Sequence, residues 1–271
     1  MSYYMKMKWF ISIIVCFFIE EIKSQNLTSP IREDFQRYYT QFDVDGSFAL
    51  LDEKNNRLTF FNPIKYNERI SPASTFKICN ALIGLETQSV HDKTTFFEWD
   101  STIYQNENWN KSQDLQTAFK NSTVWYYQKM ARLIGGQEMK CWLDKLSYGN
   151  MDTSGGIDQF WLTGGLKISP KEEIEFLQKL NNLQLPFQQK NMLDVKQMML
   201  IEQTEKYAIY GKTGWGMNSN KDLGWFVGFI ETNNNVYYFS NCIESNKDSS
   251  PNFAIARKEI TYRILKELNI F

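Results

Sequence analysis

"SPASTFKICNALIGLE", Ser71 to Glu86, predicts a helix that is apolar on nearly every side. Ala73, Phe76, Ile78, Cys79, Ala81, Leu82, Ile83 and Leu85 leave it no wet face, and such a helix belongs inside a core. Ser71 is placed to cap it and Pro72 suits its first position, so Ser74 falls in the first turn. Lys77 follows one turn later, in the middle of the apolar run. A charge there costs several kcal/mol unless it is paired or neutralised.

Three residues apart on a helix, Ser74 and Lys77 share a face. A serine hydroxyl is a weak nucleophile and needs an adjacent base. Burial among Phe76, Ile78 and Ala81 disfavours the ammonium form and lowers the lysine pKa, so the neutral amine can be that base. S-x-x-K by itself is a weak signal, since a capped helix with a snorkelling lysine is spelled the same way. Three further features stand beside it: "NSTV" with Ser122 at the start of another helix, "GKTG" from Gly211 at the end of a strand-like run, and "DQFWLTGGLKIS" with Trp161 in a Gly-rich turn. The single histidine, His91, lies in the polar loop "SVHDKTT". It is too few for a zinc hydrolase and badly placed for a serine triad.

Outward from the Ser71 stretch, residues 31–42 have helical spacing, and "GSFALLDE" and "RLTFFN" read as a hairpin around "KNN". The middle, from about 72 to 203, reads as mainly helical. "STVWYYQKMARLIG" ends at Gly135, and "SPKEEIEFLQKL" opens with Ser169 as cap, Pro170 at the first position and Glu172 in capping-box position. "YAIYGKTG", "LGWFVGFIE" and "NVYYFSNCI" read as strands, and a last helix begins "SPNFAIARKEI". Strands at both ends with helices between them predict an α+β fold, an α/β/α sandwich. An antiparallel sheet, closed by distant segments and flanked by the terminal helices, carries an inserted all-helical lobe.

With 42% hydrophobic residues in 271, the chain can bury a large core, and a net charge of −1 offers no basic stripe for nucleic acid. "MSYYMKMK" followed by the 11-residue apolar run "WFISIIVCFFI" has the make-up of a secretory signal peptide and is too short to span a bilayer. Cleavage is expected after Ser24, leaving residues 25–271 as one catalytic domain of two lobes, periplasmic or secreted, with no stable membrane insertion. Cys79, Cys141 and Cys242 then remain, an odd set with no metal-ligand spacing, and are expected to be buried free thiols.

Ser74-Thr75-Phe76-Lys77, then Ser122-Thr123-Val124, Tyr148-Gly149-Asn150, Trp161 and Lys212-Thr213-Gly214, in that order, resemble the class D (oxacillinase-type) serine β-lactamases. The resemblance runs from about Phe48 to the C-terminal helix. It implies the β-lactamase and penicillin-binding-protein fold, and hydrolysis of penicillin-type antibiotics through a serine acyl-enzyme. Ser74 resembles the acylated nucleophile. Lys77 resembles the family's carbamylated lysine (N6-carboxylysine), which takes carbon dioxide or bicarbonate and needs no metal or other cofactor. Trp161 resembles the indole donor to that carbamate. Ser122 resembles the proton shuttle to the leaving nitrogen, although its spelling also fits a helix cap. Lys212, Thr213 and Gly214 resemble the strand that faces the substrate carboxylate, and Arg257 resembles its arginine partner, with Arg263 nearby. The backbone N–H groups of Ser74 and Trp215 would form the oxyanion hole. Val124 and Leu162 resemble an apolar wall. Met217 and Trp109 are expected near the cleft mouth, but Asn106 stands where an aromatic–methionine bridge would need an aromatic. Relatives that are acylated without turning over, a penicillin-sensing receptor domain or a transpeptidase, are the alternative. A homodimer is compatible with either.

Overall fold

The computed structural model describes residues 31–218, 220–246 and 252–271, so the predicted signal segment lies outside the described residues. In chain order the elements are α1 (Gln36–Thr40), β1 (Asp45–Asp52), β2 (Arg57–Phe61), α2 (Pro63–Asn67), α3 (Lys77–Glu86), β3 (Phe96–Phe97), β4 (Gln113–Asp114), α4 (Leu115–Asn121), α5 (Val124–Ile134) and α6 (Gly136–Leu146). After these come α7 (Pro170–Asn181), α8 (Gln189–Met199), β5 (Leu200–Gln203), β6 (Tyr207–Asn218), β7 (Lys221–Thr232), β8 (Val236–Asn246) and α9 (Phe253–Glu267).

The runs rich in aromatic and β-branched residues form the sheet, as their packing preference dictates. Its strand order is β2-β1-β8-β7-β6-β5, and every neighbouring pair is antiparallel. β1 pairs with β8 from Asp45↔Glu244 to Asp52↔Tyr237, so segments almost two hundred residues apart close the sheet. Alternation along the strands gives it two apolar faces. Phe226, Ile230, Phe239 and Ile243 pack on one side with Phe253, Ala256, Ile260 and Ile264 of α9. Trp225, Val227, Phe229 and Tyr238 face the other way, into the core that contains α3, α5, α7 and α8. The result is the expected α/β/α layering, with α3 buried in the middle of the helical lobe.

Several boundaries differ from the sequence reading. Ser71–Glu86 is not one α-helix: a 3-10 turn, Ala73–Phe76, leads into α3, and Pro72 rather than Ser71 is its N-cap. Residues 31–42 hold a 3-10 turn, Glu33–Phe35, and then α1. The apolar run "MMLIEQ" leaves the helix at Leu200, whose backbone turns extended, and pairs along β6 as an exposed edge strand. Sheet pairing overrides helical spacing there. Cys79 and Cys242 are buried, but Cys141 is exposed on α6, so three buried thiols is corrected to two. The last helix starts at Phe253 with Asn252 as its cap; the Pro251 of its predicted start lies outside the described residues.

α7 begins as its sequence requires. Ser169 Oγ accepts from Glu172 N at 3.2 Å, and the Glu172 carboxylate accepts from Ser169 N at 2.9 Å. Arg69 also donates to that carboxylate from Nε at 3.0 Å. Ser169→Ala removes the reciprocal cap and is expected to cost about 1 kcal/mol of stability, read as a lower urea midpoint with an unchanged slope.

Candidate active site

The turn before α3 is held from several sides. Pro72 O accepts from Thr75 N at 3.1 Å and from Thr75 Oγ1 at 2.8 Å. Ser71 Oγ donates to Trp161 O at 3.1 Å, and Ser71 O accepts from Trp225 Nε1 at 2.9 Å. β6 presses against the same turn, where a Cβ on Gly214 would lie 3.2 Å from Pro72 O. Ala73 takes φ +47°, the left-handed region that costs a non-glycine residue about 1–2 kcal/mol. This braced and strained turn presents Ser74.

Lys77, fully buried, places its Nζ 2.8 Å from Ser74 Oγ and 5.3 Å from the centre of the Tyr127 ring. Burial pushes its amine down to about 7. An amine that is about half neutral near pH 7, within hydrogen-bond reach of a hydroxyl, can in that neutral form take the hydroxyl's proton. Trp161 is also fully buried, and its Nε1 has no acceptor. A donor in that state costs about 1–3 kcal/mol. Its ring centre lies 5.5 Å from that of Phe76, the residue before Lys77.

Ser122 is the left-handed C-cap of α4, with φ +55°, rather than the first residue of the next helix. Its side chain caps no helix; it accepts from Lys212 Nζ at 2.9 Å. Lys212 also donates to Thr213 O at 3.0 Å, and burial together with Lys77 and Arg257 holds its amine well below the usual lysine range. A cavity of about 570 Å³ opens beside Lys212 and Thr213, between α4, β5 and β6. Lys120 and Lys258 line it with Phe119, Met199 and Ile201, and none of its lining residues is acidic.

Arg257 donates to Gly214 O at 2.7 Å, and its guanidinium stands 5.3 Å from the Trp215 ring centre. Burial lowers it to about 10. Arg263 pairs instead with Glu259 and Gln41 on the far side of α9. Trp215 is half exposed, with its Nε1 on Asp222 Oδ1 at 3.0 Å, and Met217 is exposed two residues on. Val124 opens α5 half-buried, and Leu162 packs half-buried against the core. Trp109 is placed by the corner between α4 and α5: its Nε1 donates to Asn121 O at 3.0 Å, and its carbonyl accepts from Trp125 Nε1 at 2.8 Å. Its ring packs edge-on against Tyr104. Asn106 is exposed and caps the 3-10 turn Glu107–Trp109 by accepting from Asn108 N. It gives Met217 no aromatic partner.

Sequence reasoning brought together Ser74, Lys77, Ser122, Lys212, Thr213 and Arg257. It did not find the buried polar groups around them: Asn80 on α3, Tyr127 on α5 and Glu173 on α7 each keep a side-chain atom without a partner. Glu173 had a legible signal, because it falls on the apolar stripe with Ile174, Leu177 and Leu180.

A family model described as the penicillin-binding protein transpeptidase domain matches residues 34–266. The probable β-lactamase YbxI of Bacillus subtilis (strain 168) is 45% identical over 228 residues, 84% of this chain and 82% of that one. The regulatory protein BlaR1 of Bacillus licheniformis is 34% identical over 240 residues, covering 88% of this chain but 39% of its own length. The crystal structure of FUS-1 (OXA-85), a class D β-lactamase from Fusobacterium nucleatum subsp. polymorphum, superposes with a TM-score of 0.84 at 35% identity, covering 89% of this chain and all of that one. With the serine–lysine pair, the Ser122–Lys212 contact and the sheet all in the same frame, the chain belongs to the class D β-lactamase family of serine hydrolases.

Proposed function

We propose that the chain hydrolyses the β-lactam ring of penicillin-type antibiotics through an ester on Ser74, and so confers resistance to them. The observation that carries this is the 2.8 Å contact between Ser74 Oγ and a fully buried Lys77 Nζ. The hydroxyl gives its proton to the neutral amine as Oγ bonds to the lactam carbonyl carbon. The backbone N–H groups of Ser74 and Trp215 receive the oxyanion. As the C–N bond breaks, Ser122 passes a proton to the leaving nitrogen, with Lys212 on its hydroxyl. Thr213 and Arg257 take the substrate carboxylate, since Arg257 carries a half-buried cation with no acid partner among the described residues. Val124 and Leu162 keep water from the lysine, and Trp215 and Met217 border the mouth.

The second half of the reaction needs a base for water. Lys77 and Trp161 fit a carbamate on the lysine: the amine is neutral enough to add carbon dioxide, and the orphaned indole N–H is a donor left for an added oxygen. When formed, that carbamate supplies a carboxylate-like base for hydrolysis of the ester. The apolar segment before residue 31 supports an exported, periplasmic or secreted enzyme, and no described helix is long and apolar enough to cross a membrane.

The likeness to BlaR1 favours a second reading, in which Ser74 is acylated and stays so. Counting turnovers of a chromogenic cephalosporin separates the two. Many per chain are expected, and one per chain means a sensor; Ser74→Ala is expected to lose both turnover and covalent penicillin labelling. Trp161→Phe keeps a ring and loses the donor. Its deacylation is expected to slow by about 10²-fold, with part of the rate restored by bicarbonate and acylation less affected. Lys77 is protonated below about 7 and neutral above it. Acylation measured without bicarbonate is therefore expected to decline as pH falls through that value.

A further inference from the structure

Glu173 has no place in that scheme. It follows the capping-box Glu172 on α7, and its side chain is fully buried. Its Oε1 lies 2.5 Å from Oγ1 of Thr75, the residue after the nucleophile. The same Oγ1 lies 2.8 Å from Pro72 O. A hydroxyl carries one hydrogen and a proline carbonyl carries none. Two such short oxygen–oxygen contacts are both hydrogen bonds only when the carboxyl group brings the second hydrogen. Thr75 then donates to Pro72 O and accepts from Glu173. The other oxygen, Oε2, has no partner in hydrogen-bond geometry, with the Tyr148 phenol the next donor after Thr75 to act on the group. A neutral acid tolerates that far better than a buried carboxylate does.

We propose that Glu173 is a positioning residue, held as the neutral acid, whose hydrogen bond to Thr75 Oγ1 fixes the Pro72–Thr75 turn that presents Ser74. The proposal rests on Ser74 being the nucleophile. The surroundings pull both ways, and burial wins. The Thr75 hydroxyl and the Tyr148 phenol, from the segment after α6, favour the carboxylate as donors, while burial and the Glu172 carboxylate on the same helix favour the acid; the Cys79 thiol faces it from α3. Lys77, on the next turn of the same segment as Thr75, is turned to Ser74. No cation acts on Glu173 among the described residues, and burial raises its carboxyl to about 7. Ionisation removes the hydrogen that Thr75 accepts. The hydroxyl must then turn to the carboxylate, and Pro72 O loses one of its two donors beside the strained Ala73.

The signs follow. The folded protein holds the Glu173 proton more tightly than the unfolded chain, whose carboxyl sits near 4.5. Its contribution to stability is full below that value and is lost as pH rises through about 7. Acylation falls in the same direction, opposite to the limb set by Lys77. Glu173→Gln keeps a donor at every pH and cannot ionise.

The test uses the full chain as wild type, Glu173→Gln and Glu173→Ala. Infrared difference spectra read the buried acid C=O band, and rapid-mixing kinetics with a chromogenic cephalosporin read acylation against pH. The wild type is expected to show an acid band that fades as pH rises past about 7 and is missing in Glu173→Gln. Wild-type acylation is expected to fall at least severalfold on the alkaline side, and Glu173→Gln to keep only the rising limb. Glu173→Ala is expected to lose kcat more than it raises KM, with Gln restoring it. An unchanged alkaline limb in Glu173→Gln, or no acid band in the wild type below pH 7, overturns the proposal. If the chain is not acylated at all, the function reading fails while the infrared band still decides the state of Glu173.

Discussion

A lysine amine with no access to water, 2.8 Å from a serine hydroxyl, is the constraint on which the rest of the molecule depends. Left charged and unpaired at that depth it would cost several kcal/mol. No carboxylate among the described residues pairs with it: burial is the one cause that moves its pKa. The helical lobe wraps α3 in apolar side chains, so the favourable state is the neutral amine. That same state is the one able to take a proton from Ser74. Core packing and chemistry therefore make the same demand on the segment, and the apolar stretch around Lys77 serves both.

Ser74 must also be presented, and that requires a conformation the backbone does not choose freely. Ala73 in the left-handed region persists because its surroundings over-determine it. Trp161 O and Trp225 Nε1 hold Ser71, β6 closes on Pro72, and α7 reaches Thr75 through Glu173. Each brace comes from a different part of the chain: the loop before α7, the central sheet, and α7. The sheet's closure by β1 and β8 thus bears on the site, since it fixes the layer against which the turn is pressed.

Much of this was legible in the sequence because the relevant signals are local. Strand-like runs, the Ser169–Glu172 box and the Ser74–Lys77 spacing are all set within a few residues. What was not legible depends on partners far away. Leu200 reads as helical until β6 offers an edge. Ser122 reads as the head of a helix, yet a left-handed backbone makes it the tail of one and frees its hydroxyl for Lys212. Trp109 reads as a residue of the cleft mouth, and nothing in its neighbourhood of the sequence announces that the Asn121 carbonyl holds its indole. Cys141 looks like its two buried fellows until α6 turns it outward. Buried polar groups were the hardest: Asn80 and Glu173 betray their burial only by falling on apolar helix faces, and nothing local says what they meet there.

The cations of the cleft complete the logic. Lys77, Lys212, Arg257 and Lys258 are each pushed down in pKa by burial, and like-charged neighbours add to the effect at Lys212 and Lys258. Packing positive groups together without acids disfavours charge on all of them. An anion reverses that balance for any of them that it touches, by giving the charged form a partner. Lys77 sits deeper, behind Ser74, and gains least. The arrangement thus separates two roles played by one residue type. A group that an anion can reach is held in its charged form, while Lys77, moved by burial alone, is left able to act as a base.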